Sequence, residues 1–167
     1  FVFGKGSNLL ISDDGFRGVF LCLDDCASEV KLSSEGLSYC GASVVLWDFI
    51  QKTMEAGLGD LSSMSWIPGT VGGALFMNAG AFGTEIEQYV DSVDVLTRDG
   101  QFLTLTHQDC QFGYRHSFGL QQHIILGARF KFRPKNSGEM IINSNEIIEK
   151  RQSKQPLEFP SCGSVFK

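Results

Sequence analysis

The chain has 167 residues, a formal charge of −5, 43% hydrophobic and 20% charged residues, and a pI near 5.1. That is enough chain to bury a full core in one compact domain, or in one domain with part of a second, and the composition excludes intrinsic disorder. The acidic balance, the lack of a dense Lys/Arg cluster and the lack of an apolar run of membrane-spanning length argue against nucleic acid and membrane, leaving small molecules as the expected partners.

From Phe1 to Cys40 short apolar runs alternate with turn residues, and Asn8 to Ile11, Val19 to Leu23, Val30 to Leu32 and Leu37 to Cys40 read as strands. Ser43 is placed to cap a helix whose apolar positions Leu46, Phe49, Ile50 and Met54 share one face, with Gly57 or Gly59 ending it. Val90 to Leu96 and Phe102 to Leu105 flank Asp99-Gly100, the signal of a two-residue hairpin. Ile124, Leu126, Ala128, Phe130 and Phe132 alternate with Gly127, Arg129, Lys131 and Arg133, the period of a half-buried strand that Pro134 stops. Its basic face could meet a diphosphate, although a solvated strand face explains it as well. Asn145 to Lys154 reads as a second helix, with Glu146 and Lys150 one turn apart and Pro156 marking its end. A domain boundary is expected near residues 133 to 140.

The cysteines, at 22, 26, 40, 110 and 162, show no CxxC spacing, so neither a disulfide framework nor a structural zinc is signalled and a reducing, cytoplasmic setting is the simplest reading. Cys22 and Cys26 flank Asp24-Asp25, which could be drawn as a metal site, but packing cysteines are the simpler reading and no metal is expected. The chain opens at Phe1 with no methionine or signal peptide and closes at Lys167 within an apolar-basic phrase, so both ends are expected to be cuts from a longer protein.

Four segments carry candidate chemistry. Ile67 to Gly83, IPGTVGGALFMNAGAFG, sets glycines at 69, 72, 73, 80 and 83 among apolar side chains. A solvated linker would be polar, so this reads as a buried loop that lets a flat or anionic ligand lie against bare main chain. Gly4-Lys5-Gly6-Ser7-Asn8, ahead of Leu9-Leu10-Ile11, is either a small anion nest or a plain turn. It is neither a Walker loop nor a dinucleotide fingerprint, both of which need a helix next. Phe112-Gly113-Tyr114-Arg115-His116-Ser117 gathers a cation, a phenol, an imidazole and a hydroxyl, as an anion-recognising site or a surface turn would. Pro156 to Lys167, PLEFPSCGSVFK, puts Cys162, Gly163 and Ser164 behind two prolines, with Ser164 a proton donor or Cys162 a nucleophile. A hydrolase reading lacks both the nucleophile elbow and an acid to orient His116.

Taken in order, GKGSNLL, IPGTVGGALFMNAGAFGTE, YRHS and KRQSKQPLEFPSCGSVFK resemble the UDP-N-acetylenolpyruvoylglucosamine reductase family (UDP-N-acetylmuramate dehydrogenases), in the subgroup without the tyrosine-loop insertion. The resemblance implies an α+β fold: the larger lobe of an FAD-binding domain of the vanillyl-alcohol oxidase type over residues 1–133, and the beginning of a substrate-binding domain over 134–167. It implies FAD and NADPH as cofactors and UDP-N-acetylglucosamine enolpyruvate as substrate, in peptidoglycan precursor synthesis. By the same resemblance Gly4, Gly6, Ser7, Asn8 and Leu9 face the FAD pyrophosphate, while Pro68, Gly69, Thr70, Gly72, Gly73, Asn78 and Gly80 line the flavin. Arg115 and Ser164 match the catalytic arginine and the proton-donating serine, with Tyr114 beside them at the substrate. The family's glutamate and smaller flavin lobe fall outside this stretch, so these residues alone are expected to hold FAD weakly and turn over little. Another FAD-dependent oxidoreductase of this fold, or a non-catalytic nucleotide- or sugar-binding module, is the alternative.

Overall fold

The computed structural model describes residues 1–155; Pro156 to Lys167, and with them Cys162 and Ser164, lie outside the described residues. Its centre is a five-stranded antiparallel sheet. Chain order begins with β1 (Val2–Phe3) and β2 (Leu21–Cys22), a short parallel pair, then β3 (Val30–Lys31), β4 (Leu37–Gly41), helix α1 (Leu46–Glu55) and the short helix α2 (Val71–Phe76). Two small hairpins, β5 (Gly80–Ala81) with β6 (Thr84–Glu85) and β9 (Phe112–Gly113) with β10 (His116–Ser117), bracket β7 (Val90–Leu96), β8 (Phe102–Thr106) and the helical turn α3 (His107–Cys110). β11 (Ile124–Lys131) and helix α4 (Ser137–Gln152) follow. The sheet order is β3-β4-β11-β7-β8.

The core lies where α1 meets the inner face of β11. Leu46, Phe49, Ile50 and Met54 are all buried on one side of α1, and Phe49 meets Phe130 at 5.0 Å and Phe132 at 6.1 Å between ring centroids. Each of these side chains stabilises the fold by about 1.5–3 kcal/mol relative to exposure. On the opposite face of the sheet a polar ladder runs across four strands: Thr104 donates to Asp94 at 2.6 Å, Arg129 donates to the same oxygen at 2.7 Å, and Arg129 lies over the Tyr39 ring at 5.9 Å. The Asp94 hydrogen bond raises the Arg129 pKa above its ordinary value. That guanidinium is therefore committed to the sheet.

Several sequence expectations change. Asn8 to Ile11 is no strand: the Leu9 amide donates to the Gly6 carbonyl at 3.1 Å and closes a turn, leaving Leu10 89% exposed. The strand expected over Val19 to Leu23 shrinks to β2. Ser43 does not cap α1. Its hydroxyl is buried with no partner among the described residues, and the Leu46 amide is satisfied by the Gly69 carbonyl at 3.0 Å. The hairpin between β7 and β8 forms in register, but its turn is longer than two residues, with Thr97 and Gln101 bonded across it at 2.9 Å. In β11 the alternation breaks at a bulge between Ile125 and Gly127, which puts Ile125 in the core and leaves Leu126 half-exposed. The last helix begins at Ser137, capped by the Asn136 side chain on the Glu139 amide at 3.1 Å. It packs on α1 and on the turn at Ser62–Met64, burying Met140, Ser144 and Ile147. Among the described residues no helix is long and apolar enough to cross a membrane.

Candidate functional site

The site is built around α2. Three backbone bonds nail the start of that helix to the core: Leu46 N–H to Gly69 O at 3.0 Å, Val71 N–H to Val44 O at 2.9 Å, and Gly72 N–H to Ala42 O at 2.9 Å. Thr70 caps α2 by accepting from the Gly73 amide at 3.2 Å. With the Gly69 carbonyl turned inward, its φ of +113° turns the opposite edge of the peptide outward, a conformation open to glycine alone.

Against this corner lies the Gly4–Asn8 turn. A Cβ on Gly4 would sit 2.5 Å from the Thr70 hydroxyl, and one on Gly69 would sit 3.0 Å from the Ser7 hydroxyl, so the two glycine segments touch only because both lack side chains there. Gly6, at φ +72°, faces open space. Among the described residues the amides of Lys5, Gly6, Ser7, Asn8, Gly69 and Thr70 donate to no protein acceptor. Main-chain donors left without a protein acceptor at one corner of the fold are suited to an anion such as a diphosphate. Leu9, half-buried, closes the Gly4–Asn8 turn. Gly72 is different: a Cβ there would meet the Ala42 Cβ at 2.8 Å, so it packs on the core, while Gly73 is exposed. Pro68 is exposed beside Gly69.

The far end of α2, roughly 9 Å away at the usual helical rise, carries the second group. Asn78 is fully buried at φ +42°, and its amide nitrogen donates to Glu85 at 3.0 Å and to the Gly113 carbonyl at 3.1 Å, while its oxygen accepts from the Glu87 amide at 3.3 Å. Its side chain is thereby spent inside the protein. Arg115, at φ +59°, donates to the Gly80 carbonyl at 2.9 Å and the Asn78 carbonyl at 3.4 Å, with Glu85 at 3.9 Å and the Tyr114 ring 5.0 Å from its guanidinium carbon. Ser117 anchors this loop to the Phe76 carbonyl at 2.7 Å. His116 stacks on Phe118 with centroids 4.0 Å apart, and its Nδ1 is buried without a partner among the described residues. Arg115 thus lies beside the glycine-rich segment, 35 positions away in sequence. Glu85, which ties Asn78 to Arg115, was not singled out by sequence reasoning, although it closes the phrase IPGTVGGALFMNAGAFGTE.

The basic residues of β11 and Arg133 just beyond it do not join this group. Arg129 is held by Asp94, and Lys131 and Arg133 line a separate cleft of about 520 Å³ with Asp60, Tyr89, Asp91 and Lys135. The four cysteines among the described residues stand apart as well. Cys22 and Cys26 are exposed, the Cys22 thiol donating to Asp24 at 3.1 Å, whereas Cys40 and Cys110 are buried. Burial pushes the Cys40 thiol far up and the Cys110 thiol up to about 12.

Comparison with known proteins fits this geometry. The FAD binding domain family matches residues 1–106. Two UDP-N-acetylenolpyruvoylglucosamine reductases, from Pediococcus pentosaceus and Lactobacillus johnsonii, are 40% and 42% identical over 99% of this chain and over 55% and 56% of their own lengths. The chain therefore spans about half the length of the curated relatives it matches. The crystal structure of UDP-N-acetylenolpyruvylglucosamine reductase from Thermus caldophilus superposes over 100% of this chain and 60% of its own, with TM-score 0.84 and 30% identity. A solvent-stable cholesterol oxidase shares the fold over 80% of this chain at TM-score 0.55 and 18% identity.

Proposed function

This chain belongs to the FAD binding domain family, and on that premise we propose that it is the flavin-holding part of an NADPH-dependent UDP-N-acetylenolpyruvoylglucosamine reductase. Its α+β fold is that of the vanillyl-alcohol oxidase type. The proposed enzyme reduces the enolpyruvyl double bond of UDP-N-acetylglucosamine enolpyruvate to give UDP-N-acetylmuramate, a cytoplasmic step of peptidoglycan precursor synthesis. Residues 1–133 would form the larger flavin lobe, and 134–167 would open the substrate-binding domain.

The observation that carries this reading is the pair of touching glycine segments whose amides have no acceptor, with an arginine held at the other end of the same short helix. The free amides from Lys5 to Asn8 and at Gly69 and Thr70 fit the FAD diphosphate, and exposed Gly73 leaves main chain open to a flat ring. Bound FAD would supply the redox chemistry, accepting hydride from NADPH and donating it to C3 of the enolpyruvyl group. Arg115 would stabilise the negative charge that hydride addition leaves at C2 and the carboxylate. Two of its donors are fixed on the Asn78 and Gly80 carbonyls, so the rest of the guanidinium is held in place before the charge develops. Ser164 would then give its proton to C2, completing addition of one hydride and one proton across the double bond. Tyr114, stacked on Arg115, would order that cation.

Replacing Ser164 with Ala in the full-length protein separates the half-reactions. NADPH should still bleach the flavin at an unchanged rate, while reoxidation by UDP-N-acetylglucosamine enolpyruvate should slow by about 10²-fold or more. Full substrate turnover in that variant would remove Ser164 from the mechanism, and oxygen consumption with a hydroxylated substrate in its place would favour an oxidase of the same fold.

A further inference from the structure

Trp66 occupies a backbone position that its side chain makes expensive. Met64 to Ile67 forms a turn closed by the Ile67 amide on the Met64 carbonyl at 3.1 Å, with Ser65 at φ −52°, ψ 136° and Trp66 at φ +62°. This is the geometry of a type II turn, whose third position ordinarily takes Gly or Asn. Holding an L-residue with a large side chain there is strained. Neither core packing nor a hydrogen bond of the indole among the described residues offsets that strain. The indole is 38% exposed, lies outside the hydrophobic core, and its N–H donates to no acceptor among the described residues. Its neighbours on both sides are firmly placed: Ser65 is buried and bonded to Ser62 and Ser144, and Ile67 packs on the core. The turn therefore presents the indole at a fixed place, two residues before Pro68 and three before Gly69 with its free amide.

A strained, exposed and rigidly mounted aromatic at the entrance to a ligand-holding loop is accounted for by contact with the ligand. We propose that the Trp66 indole packs against the ring system of bound FAD, contributing to cofactor affinity at the expense of the FAD-free fold. This rests on the FAD reading of the same loop. It makes the two states respond in opposite directions to one substitution, which a merely structural tryptophan would not do.

The test uses full-length protein carrying Trp66→Gly or Trp66→Phe. Trp66→Gly should raise the thermal midpoint of the FAD-free protein, because glycine adopts this φ without strain, and should weaken FAD binding about tenfold, in the range of one lost aromatic stack. Trp66→Phe should keep FAD affinity within about threefold, since a phenyl ring still stacks. In both variants the emission lifetime of bound flavin should lengthen, because indole quenches excited flavin by electron transfer and phenyl does not. An FAD dissociation constant for Trp66→Gly within about twofold of wild type, or an unchanged emission lifetime in both variants, overturns the proposal while leaving the FAD reading intact. A wild-type full-length protein that binds no FAD overturns both.

Discussion

At the residue scale the site depends on one buried amide. Asn78 satisfies a carboxylate, a carbonyl and a main-chain amide together, and it does so from a left-handed backbone conformation that asparagine tolerates better than alanine. Replacing it with Ala strands three partly buried polar partners, and the expected cost is about 2–4 kcal/mol in urea unfolding of the full-length protein. A loss below about 0.5 kcal/mol, the scale of an ordinary surface change, would show that the network is incidental. Arg115 was legible in the sequence as a cation in a loop rich in functional groups. Its partners were not, because they are the main-chain carbonyls of Asn78 and Gly80, which no residue pattern announces. Glu85 escaped notice for a related reason: its role arises only when the Gly80–Glu85 hairpin folds back onto Asn78.

At the scale of elements, α1 was legible because its apolar period matches its buried face, and β11 was legible beyond the bulge that shifts its register, where Ala128 and Phe130 face the core as expected. The start of α4 was hidden. Gly138, Asn143, Ser144 and Asn145 are weak helix formers, and Ile141 and Ile142 sit exposed on the outer face, so tertiary contacts rather than local preference set this helix. Two of those contacts are polar, Ser144 with Ser65 at 2.8 Å and Asn143 donating to Ser62 at 2.7 Å. The glycines of α2 were read together as ligand-facing, and the structure separates them. Gly72→Ala would place a methyl 2.8 Å from the Ala42 Cβ, forcing α2 outward, and should cost about 1–3 kcal/mol in unfolding experiments on the FAD-free protein. Gly73→Ala meets nothing closer than the Thr70 hydroxyl at 3.6 Å and should stabilise that protein by about 0.5–1 kcal/mol while weakening FAD binding. Equal stability effects at the two positions would contradict this division.

At the scale of the whole molecule, the sheet and α1 form a rigid base on which α2 is mounted by backbone bonds at its start and by Ser117 at its end. The candidate site occupies the two ends of that short helix: free amides at one, a preset guanidinium at the other. A net charge of −5 makes this local concentration of donors the more informative, since overall electrostatics do not favour an anionic ligand. The most direct test is NADPH consumption by the full-length protein after gentle purification, followed alongside its visible absorbance. A bound-flavin band at a single FAD per chain, with NADPH consumed beyond one equivalent per flavin only when UDP-N-acetylglucosamine enolpyruvate is added, is the result expected. A colourless protein that takes up no FAD, or one whose NADPH consumption is indifferent to that substrate, would contradict it.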